Sequence, residues 1–261
     1  MELDDAYANM THIPKGSSYP DIWAKRAFAF RAALADRAVL GQPYGASPRQ
    51  AYDLFLPGQT PLGTVIFVHG GYWYRFDKSS WSHLAAGALT RGWAVAMPSY
   101  DLCPSVGIPD ITKQVARAID AIAAQSDAPI ALSGHSAGGQ LVARCLSRGM
   151  LKRSTLQRIS HAAILSPVGD LRPLLKTSMN ATLGLDAKTA ISESPTLASR
   201  PAHVEVSIWV GEEERPAFLD QAQQLGAAWD VDVRVVSGRH HFDIISLLEA
   251  PETDLVQRLT A

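Results

Sequence analysis

A serine hydroxyl attacks a carbonyl only when a turn presents it, a base takes its proton and donors hold the charge that develops. Residues Gly134-His135-Ser136-Ala137-Gly138-Gly139 have the types and spacing for the first of these. The apolar run from Ile130 stops at Gly134, and a helical pattern (Leu141, Val142, Cys145, Leu146) begins directly afterwards. A buried strand turning sharply into a helix is the setting in which Gly-x-Ser-x-Gly has catalytic meaning. The turn lifts Ser136 clear of the backbone, and Gly134 and Gly138 leave it the room. An ordinary glycine-rich strand–helix turn has the same letters, so the rest of the machinery has to be found elsewhere in the chain.

The chain has eight histidines. Those in Arg239-His240-His241-Phe242-Asp243 follow Val235-Val236-Ser237-Gly238, where the last strand of an α/β sheet would deliver a base. At this level His240 and His241 compete. The order serine, acid, histidine matches that of a nucleophile elbow in a doubly wound sheet. The carboxylate that orients the base is expected in Gly211-Glu212-Glu213-Glu214, after the strand Val206–Val210. Glu214 stands directly before the Arg215-Pro216 that opens a helix and is the first candidate. Asp170 is the second, and the other two glutamates read as a solvated loop. Oxyanion donors are expected from Gly70 and Gly71, after the strand Thr64–Val68, together with the N–H of Ala137. Tyr72, Trp73 and Tyr74 follow at once, either as packing aromatics or as a flat wall for an aromatic substrate, with Tyr72 and Trp73 as the first candidates. His240 and His241 are adjacent, and no His-x-x-x-His or Glu-x-x-His spacing presents two ligands on one face, so no metal is expected. No strand-Gly-x-Gly-x-x-Gly-helix unit occurs, so no dinucleotide or other cofactor is expected either.

The elements that must position these residues alternate. Apolar runs at Thr64–Val68, Trp93–Met97, Ile130–Ser133, Ala162–Leu165, Val204–Val210 and Val231–Val236 are separated by helical patterns at Asp110–Ala124, after Ser136 and at Pro216–Trp229. A last helix is expected from about Thr253. Continuous β-branched runs mark strands buried on both faces, and the alternation implies an α/β fold with a mainly parallel sheet and helices on both sides. Ligands bind such sheets at the carboxyl ends of the strands, where every candidate above lies. Before this region, Gln50–Leu56 alternates as a strand after a turn at Pro43-Tyr44-Gly45. Ile22–Leu34 reads as a helix with Asp21 as its cap, part of an N-terminal arm or lid over residues 1–40. Residues 166–202, broken by Pro167, Pro173, Pro195 and Pro201, read as a cap-like insertion over the active-site end of one domain spanning 1–261.

With 261 residues, 47% hydrophobic and 19% charged, and a net charge of −1, the chain has no electrostatic reason to bind nucleic acid or an anionic membrane. Its expected partner is a small-molecule substrate, and a homo-oligomer stays open. The two cysteines, Cys103 and Cys145, read as buried thiols. The acidic start lacks a signal-peptide pattern, and no apolar run approaches the length of a membrane span, so a cytoplasmic location is expected.

The chain resembles the α/β-hydrolase superfamily, and within it the kynurenine formamidase (arylformamidase) branch and neighbouring HGG-type esterases. The motifs that carry the resemblance are His69-Gly70-Gly71-Tyr72-Trp73, Gly134-His135-Ser136-Ala137-Gly138-Gly139 and His241-Phe242-Asp243, with softer matches at Tyr52–Pro57 and Ser166–Leu174. It implies Ser136 as nucleophile, His241 rather than His240 as base, Glu214 as acid and Gly70, Gly71 and Ala137 as oxyanion donors. Relatives usually carry an aspartate at the Glu214 position. The resemblance further implies hydrolysis of a small amide or ester, with an aryl formamide such as N-formyl-L-kynurenine first. A short-chain carboxylesterase using the same triad is second, and a non-catalytic binding protein of this fold is the reading from another class.

Overall fold

The computed structural model describes residues 1–261. Its strands are β1 (Ala38–Pro43), β2 (Ala51–Phe55), β3 (Thr64–Val68), β4 (Ala94–Pro98), β5 (Ile130–His135), β6 (Ile159–Leu165), β7 (Glu205–Gly211) and β8 (Val233–Val236). They form one sheet in the order β1-β2-β4-β3-β5-β6-β7-β8. β1 pairs antiparallel with β2, and β2 antiparallel with β4; every pair from β4 with β3 to β7 with β8 is parallel. This is the α/β arrangement expected from the alternation of elements. It is also the α/β-hydrolase fold that the motifs implied.

The central strands follow from their side chains. Val65, Phe67, Val95, Met97, Ala131, Ala163 and Leu165 point to one face, where they meet Trp23 and Leu34 of the N-terminal arm and Leu255, Val256 and Leu259 near the C-terminus. Ile66, Val68, Ala96, Ile130, Leu132, Ala162 and Ile164 alternate to the other face, beneath helices Ile108–Ala123, Ala137–Cys145 and Pro216–Trp229. Period-two side chains that are apolar at both parities can be buried only between two layers. No helix is long and apolar enough to cross a membrane, and both cysteines are buried with free thiols.

Three local expectations change. β1 occupies residues before the expected turn; as an edge strand it is half-buried to exposed and contains Gly41, Gln42 and Pro43, so it carries no apolar alternation. The arm helix runs Tyr19–Leu34, with Pro20 and Asp21 inside its first turn, so Asp21 does not cap it. Pro20 suits that turn because its missing N–H would have had no partner there. In the 166–202 stretch, only Ser178 and Met179 reach the cavity described below. Much of the remainder packs down on the body: Glu193 is buried and accepts from the Thr112 hydroxyl at 2.7 Å, with Arg144 at 3.5 Å.

Candidate active site

At the carboxyl end of β5 the chain enters helix Ala137–Cys145 through Ser136, whose φ of 56° and ψ of −120° lie outside the regions open to most L-residues. Such strain persists only where the surroundings over-determine it. Here they do. A Cβ on Gly138 would stand 2.1 Å from the Val68 carbonyl oxygen, so the helix can approach β3 this closely only with glycine at that position. Gly70 lies against the elbow from the other side, where an added Cβ would be 3.1 Å from the Ser136 Cβ. The N–H groups of Gly70, Gly71 and Ala137 donate to no acceptor within the protein. Three N–H donors without an acceptor therefore lie on the two segments that meet at Ser136, the type of group that developing negative charge requires.

The loop holding Gly70 and Gly71 is fixed from behind by His69. Its Nδ1–H donates to the Gly70 carbonyl at 2.7 Å, its own carbonyl accepts from the Tyr100 hydroxyl at 2.8 Å, and its ring stacks on Tyr100 at 4.4 Å. Gly71 has φ +115°, and a Cβ there would meet the Arg75 carbonyl oxygen at 2.4 Å, so only glycine fits the turn. Tyr72 and Trp73 continue it with φ of 52° and 60°. That pair of left-handed residues reverses the chain and separates the two aromatics. Tyr72 remains at the cavity. Trp73 does not: its indole is wholly buried and donates to the Gln140 side chain at 2.9 Å, so its expected place in the substrate wall is corrected to a place in the core. Tyr74, the third aromatic of the run, is stacked 6.0 Å from Tyr72 and lines the cavity with it.

His241 arrives on the loop after β8. Its Nδ1–H donates to Glu214 Oε2 at 2.6 Å, and both side chains are buried. The second oxygen of Glu214 accepts from the Gly211 N–H at 2.8 Å and from the Ser166 hydroxyl. A carboxylate with both oxygens engaged holds the imidazole in one tautomer, leaving Nε2 unprotonated and free to accept. The ring is seated by Phe218 at 4.3 Å and by His135 at 4.6 Å, and His135 Nε2–H donates to the His241 carbonyl at 2.8 Å. His240 is turned elsewhere; its ring contacts the Tyr19 hydroxyl at 3.0 Å and accepts from the Phe242 N–H at 3.1 Å. Asp170 is also elsewhere, with its carboxylate on Arg172 and Ser194. Glu212 is exposed and accepts from Ser237 and Gly238, and Glu213 is exposed. Ser136, His241, Gly70 and Gly71 thus share one cavity of about 360 Å³, with Glu214 directly behind the histidine.

Much of the cavity wall is aromatic or apolar, including Trp23, Tyr72, Tyr74, Phe76 and Met179. The N-terminal arm closes it with Tyr7 to Thr11. The Tyr72 hydroxyl fastens that arm, donating to the Tyr7 carbonyl at 2.6 Å and accepting from Asn9 at 2.9 Å. Sequence reasoning had no signal for Tyr7 or Asn9, which lie far along the chain from every motif. Ser166 was findable, since it directly follows β6 at the same end of the sheet. No group of three or more His, Cys, Asp or Glu side chains is gathered as a metal ion would need.

Burial keeps the supporting histidines neutral. Desolvation pushes His69 down to about 4 and His135 well below its usual 6.5; away from the cavity it also brings His83 and His161 down to about 4. In the unfolded chain these rings take up protons near pH 6.5, whereas in the fold they do not. The unfolded state therefore binds more protons between pH 6.5 and about 4, and stability falls as pH drops through that window. Each such ring contributes a slope of up to about 1.4 kcal/mol per pH unit. Urea unfolding at pH 7.5, 6.0 and 5.0 should give steadily lower midpoints; an unchanged midpoint would contradict neutral burial.

Residues 65–202 match the pattern of the α/β-hydrolase fold family. Kynurenine formamidase of Salmo salar is 28% identical over 238 residues, covering 85% of this chain and 81% of that protein. The kynurenine formamidase of Danio rerio is 28% identical over 232 residues, covering 84% and 79%. A crystal structure from Silicibacter sp. TM1040, provisionally described as a thioesterase, superposes with a TM-score of 0.98 at 54% identity and covers 100% of both chains. Esterase B of Lactobacillus rhamnosis, at 18% identity, a TM-score of 0.65 and coverage of 92% and 90%, shares the fold. With more than half of its length matched in this way, the chain belongs to the α/β-hydrolase fold family.

Proposed function

We propose that this hydrolase uses Ser136, His241 and Glu214 as a catalytic triad to cleave a small aryl amide or ester, with an aryl formamide as its first substrate class. The observation that carries the reading is the 2.6 Å contact of His241 Nδ1 with a doubly anchored Glu214, beside a strained serine ringed by free N–H groups. Ser136 Oγ attacks the formyl carbonyl as His241 Nε2 takes its proton, and the oxyanion lies among the N–H groups of Gly70, Gly71 and Ala137. His241 then gives that proton to the departing aniline nitrogen, leaving a formyl-serine. Water, deprotonated by the same imidazole, attacks the formyl-serine; formate leaves and the serine oxygen is reprotonated. A formyl group is too small to be recognised by shape, so selectivity falls to the aryl leaving group against Tyr72, Tyr74 and Trp23. Glu214 sits in the turn that leads into helix Pro216–Trp229, where both of its carboxylate oxygens find donors.

The test is the specificity constant for N-formyl-L-kynurenine against 4-nitrophenyl acetate with purified protein. A larger constant for the formamide supports the reading; activity confined to the ester assigns the same residues to an esterase. Glu214→Ala should lower kcat by about two to four orders of magnitude, since the orienting acid is the least costly triad member to remove. Asp170→Ala should cost far less, and a larger loss there would transfer the acid role.

A further inference from the structure

The cavity wall carries two charged side chains besides its histidines, Asp4 and Arg75. Asp4 is already committed: its carboxylate accepts from the Ser178 N–H at 2.6 Å and from the N-terminal ammonium, which hold it below the usual carboxylate range. Arg75 has no acceptor. Its guanidinium carbon lies 5.6 Å from the centroid of the Tyr74 ring and it forms no ion pair, although it is exposed. A guanidinium placed over an aromatic ring uses its face, so its N–H donors, which lie in its plane, remain available at the edge. The uncommitted charge at the mouth of an otherwise apolar cavity is therefore positive.

The backbone places that charge close to the chemistry. Arg75 N–H donates to the Gly71 carbonyl at 2.9 Å and Tyr74 N–H to the same oxygen at 3.1 Å, so the chain folds back within one turn of the oxyanion loop. Tyr74 stacks on Tyr72, and Arg75 on Tyr74. Gly70, Gly71, Tyr72, Tyr74 and Arg75 line the same cavity, so a substrate with its carbonyl at the glycines and its ring beside the tyrosines would have the guanidinium within the same site. We infer that Arg75 is a specificity-determining residue that selects aryl substrates bearing a carboxylate on the ring side of the scissile bond, paired through its in-plane N–H groups. This rests on the hydrolase reading of Ser136 and His241 but is indifferent to whether the bond cleaved is a formamide or an ester.

Two matched substrate pairs separate those questions: formanilide with 4-formamidobenzoate, and phenyl acetate with 4-acetoxybenzoate. Wild type, Arg75→Gln, Arg75→Lys and the remote control Lys113→Gln are compared by the ratio of kcat/KM for the charged member to that for the neutral one. Arg75→Gln should lower the ratio about tenfold, the scale of one charge-assisted hydrogen bond, with the loss in KM and not in kcat. Arg75→Lys should retain part of the preference and Lys113→Gln all of it. Added salt should erode the wild-type ratio and leave that of Arg75→Gln unmoved. A ratio unchanged in Arg75→Gln overturns the inference, as does an equal loss on both members of a pair. Turnover of the acetates alone removes the formamide reading while still testing Arg75; turnover of none of the four overturns both.

Discussion

Replacing Ser136 with alanine will lower kcat by about four to six orders of magnitude, the scale of a lost triad serine. The size of the effect follows from the absence of a substitute. The free N–H groups of Gly70, Gly71 and Ala137 remain in the variant and can still polarise a bound carbonyl. They cannot form the covalent intermediate that divides the reaction into two lower barriers. What survives is the part of catalysis due to binding and oxyanion stabilisation. Alanine at φ 56° keeps the strain but removes only the hydroxyl, so the fold should persist. Two measurements check this: residual turnover, and labelling by a fluorophosphonate probe, which wild type should accept and Ser136→Ala should refuse. An unlabelled wild type would return the chain to the class of non-catalytic binding proteins.

His241→Ala should be as damaging, at about four to six orders of magnitude in kcat, because in the proposed triad the base and the nucleophile act as a unit. Without the imidazole the serine keeps its proton, and the Glu214 carboxylate behind it faces a void. The neighbouring histidine is the control. His240 is anchored to Tyr19 and to the Phe242 N–H, so His240→Ala should change kcat by less than about tenfold and act mainly through stability. Equal losses at the two positions would undo the assignment of the base. Addition of imidazole supplies a further reading: partial recovery in His241→Ala and none in Ser136→Ala would tie the defect to proton transfer.

Several parts of this arrangement were legible because they are local. The apolar run into Gly134 and the helical pattern after Ser136 specify the elbow, and the structure has its strand and helix there. Others were misread for equally physical reasons. Tyr72, Trp73 and Tyr74 are consecutive aromatics, and Trp73 was expected with Tyr72 in the substrate wall, with packing as the alternative. Two successive left-handed residues, invisible as letters, turn the indole into the core and leave Tyr72 and Tyr74 at the cavity. β1 was missed because an edge strand with one neighbour needs no apolar alternation. The arm was recognised as a helix, but Tyr7 to Thr11 closing the cavity depends on the Tyr72 hydroxyl, separated by 65 positions from the carbonyl it bonds.

The sequence by itself determined the strands from β2 to β8 and the longer helices between them, the elbow and the candidate glycines, since each depends on side chains within a few residues and on sterics that act over one turn. It also offered two adjacent histidines as the base and Glu214 ahead of Asp170 as the acid, and the family resemblance favoured His241. Only the tertiary structure brings the residues of the proposed site together. His241 and Glu214 are 27 positions apart, and their hydrogen bond exists because β7 and β8 lie parallel and end at the same edge of the sheet. Asp170, also placed after a strand, has its carboxylate held by Arg172 and Ser194 rather than by a histidine. Distances between loops are set by how the sheet packs, and no residue pattern within a single loop carries that information.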